Sequence, residues 1–220
     1  EDSALLQSNS GADIETRFRY NQDFKSIFAM VPGAMMLILA FIPAIMTSLG
    51  VVREKELGSI TNFYATPVTK LEFLIGKQSP YALIAMINFC TLVLLSLFLF
   101  KVPVKGSFYA LAIGALLYVV ATTGFGIMVS TFVKTQIAAI FATAIVTVTP
   151  AINFSGYLSP VSSLSGEAKI IGLMFPYGYF QLISMGTFTK ALNFSDLIVN
   201  YFALFAIIIA YMIIGILLLK

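Results

Sequence analysis

Residues 53–77 read REKELGSITNFYATPVTKLEFLIGK, and seven of the chain's 23 charged side chains lie in those 25 positions. The flanking stretches, 27–51 and 79–100, contain no charge at all. An uncharged helix of roughly 20 residues is long enough to cross a hydrocarbon layer of about 30 Å. The charged stretch therefore joins two membrane spans, and its reading sets the fold on either side.

Working outward, three more stretches are uncharged and long enough to cross: 108–132, 137–158 and 197–219. A sixth, 170–189, also lacks charge, but Gly172, Pro176, Gly178 and Gly186 interrupt it. It is expected to form short helices dipping into the interface, because irregular backbone survives at membrane depth only where protein covers it or water lines it. The composition agrees with an integral membrane protein: 59% of residues are hydrophobic and 10% charged, against about 25% charged in soluble domains. The expected fold class is an all-α membrane bundle of five spans. Tyr81, Tyr109, Tyr157 and Tyr201 fall near predicted span ends, where an aromatic ring with one polar tip suits the headgroup layer.

Composition also removes several function classes. There is no His, and Cys90 is the single cysteine, so a disulfide within the chain and the usual zinc ligand sets are excluded and no metal site is expected. Cys90 reads as a small apolar side chain. A net charge of +3, spread along the chain, does not indicate a nucleic-acid partner. A phosphate-binding loop is absent: Gly76-Lys77 has Leu71 where the first Gly should stand and Gln78 where the hydroxyl should stand. Without His no Ser-His-Asp triad can form, and no carboxylate lies inside the five spans, unlike the usual ion-coupled carrier. No catalytic residue is expected.

Five spans sort the loops into two sets. The set holding 53–77, Lys134 and Lys220 carries six Lys/Arg, whereas the other carries Lys101, Lys105, Lys169 and Lys190. That favours a cytoplasmic 53–77, although Arg17, Arg19 and Lys25 before the first span erase the margin if counted. Within the loop, Gly58 is placed to end the first helix, and Ser59 to cap a short one over 60–65 that Thr66-Pro67 stops. Thr69-Lys70-Leu71-Glu72 has capping-box spacing. A short helix of this kind either caps the bundle or offers another protein a knob to grip.

Four stretches together resemble the ABC-2 transporter permeases, the membrane subunits of a class of ATP-driven exporters. RFRYNQDFKSIFAMVPG (17–33) resembles the exit from that family's outward domain into its second span. The 53–77 stretch resembles the Arg-Glu-Lys-Glu, Gly, Thr-Pro and Gly-Lys pattern of its coupling loop. FSGYLSPVSSLSG (154–166) and the run from FPYGYF to MGTFTKAL (175–192) resemble the outward turn before its last span. The likeness is greatest to drug-efflux-type permeases, including the permease-like ends of ribosome-associated ATPase chains.

The resemblance implies a six-span type V exporter-like bundle that dimerises with a second permease copy or a related permease in the inner cell membrane. A nucleotide-binding domain beneath each copy would hold the ATP and Mg, with no cofactor on this chain. The segment 1–25 would be the tail of the outward domain and 26–220 the transmembrane domain, with outward re-entrant helices over 159–190. The chain opens EDSALLQSNS, with neither an initiator Met nor a signal sequence, and is expected to be part of a longer chain. The resemblance also places 53–77 in the cytoplasm against the ATPase. Arg53, Glu54, Lys55, Glu56, Gly58, Phe63, Thr66 and Pro67 become the candidate ATPase-coupling residues; the alternative for the four charges is ordinary interfacial anchoring, while Gly58 and Pro67 shape the loop. The implied function is export of an amphipathic or drug-like substrate, the alternative being a non-transporting membrane anchor for an ATPase or ribosome-associated factor.

Polar residues inside the spans complete the candidates. Thr122, Gly126 and Ser130 recur every fourth residue, a small-residue stripe suited to close helix packing. Asn88, Thr91, Thr147, Thr149 and Asn153 either line a substrate path or bond to neighbouring helices.

Orientation is open to a direct test in a Cys90→Ala background. Ser59→Cys is expected to react with membrane-impermeant thiol reagents only in opened cells, and Ser163→Cys in intact ones. The reverse pattern would invert the sidedness.

Overall fold

The computed structural model describes residues 27–58, 69–157 and 166–218. They form seven α-helices: α1 Ile27–Glu56, α2 Lys70–Phe98, α3 Phe108–Phe132, α4 Gln136–Asn153, α5 Glu167–Met174, α6 Tyr177–Thr189 and α7 Ile198–Leu218. A 3-10 turn, Phe194–Leu197, leads into α7. Five of these helices are long and apolar enough to cross a membrane, and no strand occurs among the described residues.

The boundaries depart from the uncharged runs in a consistent way. α1 continues past residue 51 to Glu56, and α2 begins at Lys70 rather than 79. Helix ends are set by caps, not by hydropathy: Thr69 Oγ1 accepts from the Glu72 N–H at 3.3 Å while the Glu72 carboxylate accepts from the Thr69 N–H at 2.8 Å. A 30-residue α1 is about 45 Å long at 1.5 Å per residue, so its charged last turn projects beyond the hydrocarbon. α4 ends earlier than expected, at Asn153.

α3 occupies the centre. Its most apolar window is 67% buried, against 22% for α2 and for α7, as befits a helix that is apolar all round. It packs on α1 and α7, and α1 in turn packs on α4, α6 and α2. The α1–α3 seam is close because Gly126 faces the Ala44 carbonyl directly, with no room for a Cβ between them. Thr122 and Ser130 are buried in the same stripe.

Four prolines lie inside the spans: Pro32 and Pro43 in α1, Pro80 in α2 and Pro150 in α4. Each lacks the N–H that would pair with the carbonyl four residues earlier. For Pro43 that carbonyl belongs to Leu39, and the Thr122 hydroxyl reaches it from α3 at 3.3 Å. For Pro80 it belongs to Gly76, and the adjacent Ser79 hydroxyl donates to it at 3.3 Å. On α1, Tyr118 of α3 also donates to the Met36 carbonyl at 3.0 Å and Ser184 of α6 to the Pro32 carbonyl at 3.3 Å. The carbonyls freed by Pro43 and Pro80 are thus covered by hydroxyls, as a bilayer requires.

The uncharged stretch 170–189 breaks before Pro176 into α5 and α6. At 13 residues, α6 is about 20 Å long, too short to span. It does more than rest at the interface: Phe180, Ile183 and Phe188 are wholly buried, and Phe180 stacks on Tyr118 with centroids 4.3 Å apart. Three of the four tyrosines expected at the headgroup level are likewise drawn inward. The Tyr157 ring lies on Gly33, the Tyr81 hydroxyl sits against Gly50, and Tyr201 donates to the Ala110 carbonyl at 3.0 Å. A glycine on the facing helix opens the first two of these seats. Tyr109 alone stays out, at 80% exposed.

The seam can be probed by volume. Gly126→Ala is expected to lower stability in detergent by about 1–3 kcal/mol through overpacking. Gly76→Ala, where a Cβ meets nothing within 4 Å, is expected to raise it by about 0.5–1 kcal/mol through helix propensity. Thermal unfolding of the two purified variants separates the effects.

Candidate functional site at the charged ends of the helices

The last turn of α1 is where charge returns to the chain. Leu57 N–H still donates to the Arg53 carbonyl at 3.0 Å, and Gly58, at φ 72°, then turns the chain out of the helix. That left-handed conformation suits glycine and ends the helix. Residues 59–68 lie outside the described residues, and with them Phe63, Thr66, Pro67 and the expected helix over 60–65. The chain re-enters description at Thr69, in the capping box that starts α2.

Successive residues of a helix point about 100° apart, so three neighbours on α1 reach three different helices. Glu54 forms an ion pair with Lys77 of α2. Lys55 Nζ donates to the Ser130 carbonyl at the end of α3, at 2.6 Å. Glu56 accepts from both the backbone N–H of Gln136, at 2.8 Å, and the Gln136 side-chain amide. Gln136 opens α4 directly after its N-cap Thr135, so the Glu56 carboxylate also lies at the positive end of that helix. Lys70 adds a longer contact to the Ile216 carbonyl near the end of α7, at 3.5 Å. Arg53 is exposed.

Lys77 and Gln136 were not singled out as site residues by sequence reasoning. Lys77 lay inside the quoted loop and Gln136 followed a capping threonine, but nothing in spacing alone links positions 23 and 80 residues away from their partners. Gln78 was missed as well. It is 5% exposed and donates to the Val120 carbonyl at 2.6 Å and to Thr123 Oγ1 at 2.9 Å, fastening α2 to α3.

The residues considered for a substrate path are not gathered together within the chain. Asn88 is half-buried on α2, and Thr91 is exposed and donates to its own Ile87 carbonyl. Thr149 and Asn153 are exposed on α4, where the Asn153 amide donates to the Thr149 carbonyl at 2.8 Å. α2 and α4 each pack on α1. Thr147 is different. It is wholly buried, with its hydroxyl beside that of the equally buried Tyr177 of α6. It lies in an otherwise apolar groove of about 230 Å³ between α1 and α4, with Ala40, Phe41 and Ala151. A larger groove of about 650 Å³ runs between α2, α3 and α7, lined by Ala82, Leu116 and Ile208 with Gln78 and Ser79.

Residues 2–217 match the family described as "ABC-2 family transporter protein". The chain belongs to the ABC-2 transporter family. Over 208 residues it is 31% identical to a protein of Escherichia coli K12 named "Probable multidrug ABC transporter permease YbhS", covering 94% of this chain and 55% of that protein. It is 27% identical over 183 residues to "Probable multidrug ABC transporter permease YbhR" of the same strain, covering 83% and 49%. It is 25% identical over 200 residues to "Inner membrane transport permease YhhJ", also from that strain, covering 88% and 52%. The ABC-2 chain thus spans about half the length of these curated relatives. No solved structure matches it significantly.

For this ABC-2 chain the Thr147 hydroxyl supplies a stability test. An unpartnered buried polar group costs about 1–3 kcal/mol. Thr147→Val, which keeps the shape but takes the hydroxyl away from the buried Tyr177 hydroxyl, is therefore expected to lower unfolding free energy by about 1 kcal/mol, read as a downward shift of thermal unfolding in detergent.

Proposed function

We propose that the chain is the membrane-embedded part of an ATP-driven exporter of the multidrug permease type. The reading rests on one observation above all. Among the connections between its five spans, the chain concentrates charge at the one joining α1 and α2, with a glycine stop on one side and a complete capping box on the other. Polar, capped backbone projecting from a bundle suits a protein partner. The family membership and the names of the relatives make that partner an ABC ATPase, on which ATP and Mg would bind.

In this reading two permease copies, or this chain and a related permease, enclose the path. Nucleotide-driven motion enters through the loop and moves an amphipathic molecule outward, by alternating access or by lateral squeezing. Thr147 is the one of the five path candidates that lines the α1–α4 groove, and in this reading it is the polar group placed to meet such a molecule. In this reading Gly58 leads into the coupling segment, to which Phe63, Thr66 and Pro67, outside the described residues, belong by sequence.

The test replaces residues 59–68 by a Gly/Ser linker of equal length in the full-length permease, reconstituted with its ATPase. Insertion and ATPase binding to nucleotide are expected to persist while ATP-dependent flux is lost and hydrolysis stops responding to substrate. Flux equal to that of the unaltered complex would remove the loop from transmission. A complex that never supports ATP-dependent flux would favour the anchoring role.

A further inference from the structure

The ion pair between Glu54 and Lys77 closes the base of the α1–α2 connection. Glu54 precedes the end of α1 by two residues, and Lys77 sits two turns into α2. Both side chains are about one-third exposed or less, at 28% and 31%. Such a partly covered pair is screened less than a fully exposed one. Lys77 also lies 5.9 Å from the centre of the Phe73 ring, one turn earlier on α2, which further limits where its ammonium can go. From the same turn of α1, Lys55 holds the end of α3 and Glu56 holds the start of α4.

We infer that Glu54, Lys55 and Glu56 form a collar that makes the charged ends of α1, α2, α3 and α4 move as one body, with Lys77 and Gln136 as positioning residues for coupling. The inference rests on the exporter reading for its consequence, though not for its geometry. A loop anchored at one end would bend its own helix when pushed. A loop whose two flanks are joined at the base passes the push to both, and the two neighbouring contacts of α1 carry it to α3 and α4. Glu54 and Lys55, half-buried, and Glu56, exposed, are thus each engaged by a neighbouring helix, while Arg53 is exposed.

The collar is tested by exchanging charges. Glu54→Lys and Lys77→Glu each place like charges together, whereas the double exchange restores an opposite pair. The first readout uses the permease alone in lipid nanodiscs, in a Cys90→Ala background with spin labels at Leu57→Cys and Leu71→Cys on the two flanks. A narrow distance distribution is expected for the native pair, a broad one for each single variant, and a narrow one again for the exchange.

The second readout is flux per ATP hydrolysed in the reconstituted full-length complex. It is expected to fall by about tenfold in each single variant, inside the range that coupling between sites commonly spans, and to recover in the exchange. An exchanged pair no better than its singles in either readout would overturn the collar. So would singles that broaden the distance yet transport normally. Because the distance readout needs neither ATPase nor substrate, failure of the exporter reading leaves it able to decide the geometry. If a single variant is too unstable to purify, Glu54→Gln replaces it, and a broadened distance is still expected.

Discussion

Hydrocarbon offers no hydrogen bonds, so every backbone group inside the membrane must find its partner within the protein. α1 meets this constraint under difficulty, because Pro32 and Pro43 interrupt its own ladder. The Thr122 hydroxyl of α3 comes to the Leu39 carbonyl that Pro43 leaves free, and Tyr118 of α3 and Ser184 of α6 add bonds to the Met36 and Pro32 carbonyls. The donors Thr122, Tyr118 and Ser184 are buried, and each can reach α1 only if the helices approach closely. Gly126 on α3, pressed against the Ala44 carbonyl, permits that approach. The central seam of the bundle is thus set by polar satisfaction and small residues together, since apolar side chains gain little by leaving one hydrocarbon for another.

From that seam the remaining helices find their places. α6 is too short to cross, but its aromatic face fills the space beside Tyr118, where Tyr177 meets it edge-on and Phe180 stacks. α7 packs on the far side of α3, with Tyr201 and Tyr211 turned inward and donating to the Ala110 and Met174 carbonyls. α2 and α4 leave long rows of Leu, Ile and Phe exposed, among them Leu83, Ile87, Leu94, Phe141 and Ile145. In a membrane those rows meet lipid or another protein.

The helix ends at the α1–α2 connection follow a different chemistry. Beyond the hydrocarbon, water competes for every charge, and isolated surface pairs contribute about 1 kcal/mol or less. What distinguishes the end of α1 is that three consecutive residues each engage a different helix. The effect is mechanical rather than a large gain in stability: relative motion of four helix ends is restricted at the level where the charged loop leaves the bundle.

The amino-acid sequence by itself determined the fold class, the five crossing segments and the capped restart at Thr69, because hydropathy, glycine stops and capping boxes act over a few neighbouring residues. The break at Pro176 was legible for the same reason, as were the small-residue spacing of Thr122, Gly126 and Ser130 and the family resemblance in the loop. The tertiary structure alone decided the partners. Lys77 and Gln136 meet α1 across long stretches of chain, Tyr157 and Tyr81 leave the expected surface for seats over Gly33 and Gly50, and Thr147 separates from Asn88, Thr91, Thr149 and Asn153 by being wholly buried. Local patterns carry the direction a side chain takes from its own helix, but what it meets depends on which helix packs opposite and at what height, and that is settled only when the whole bundle assembles.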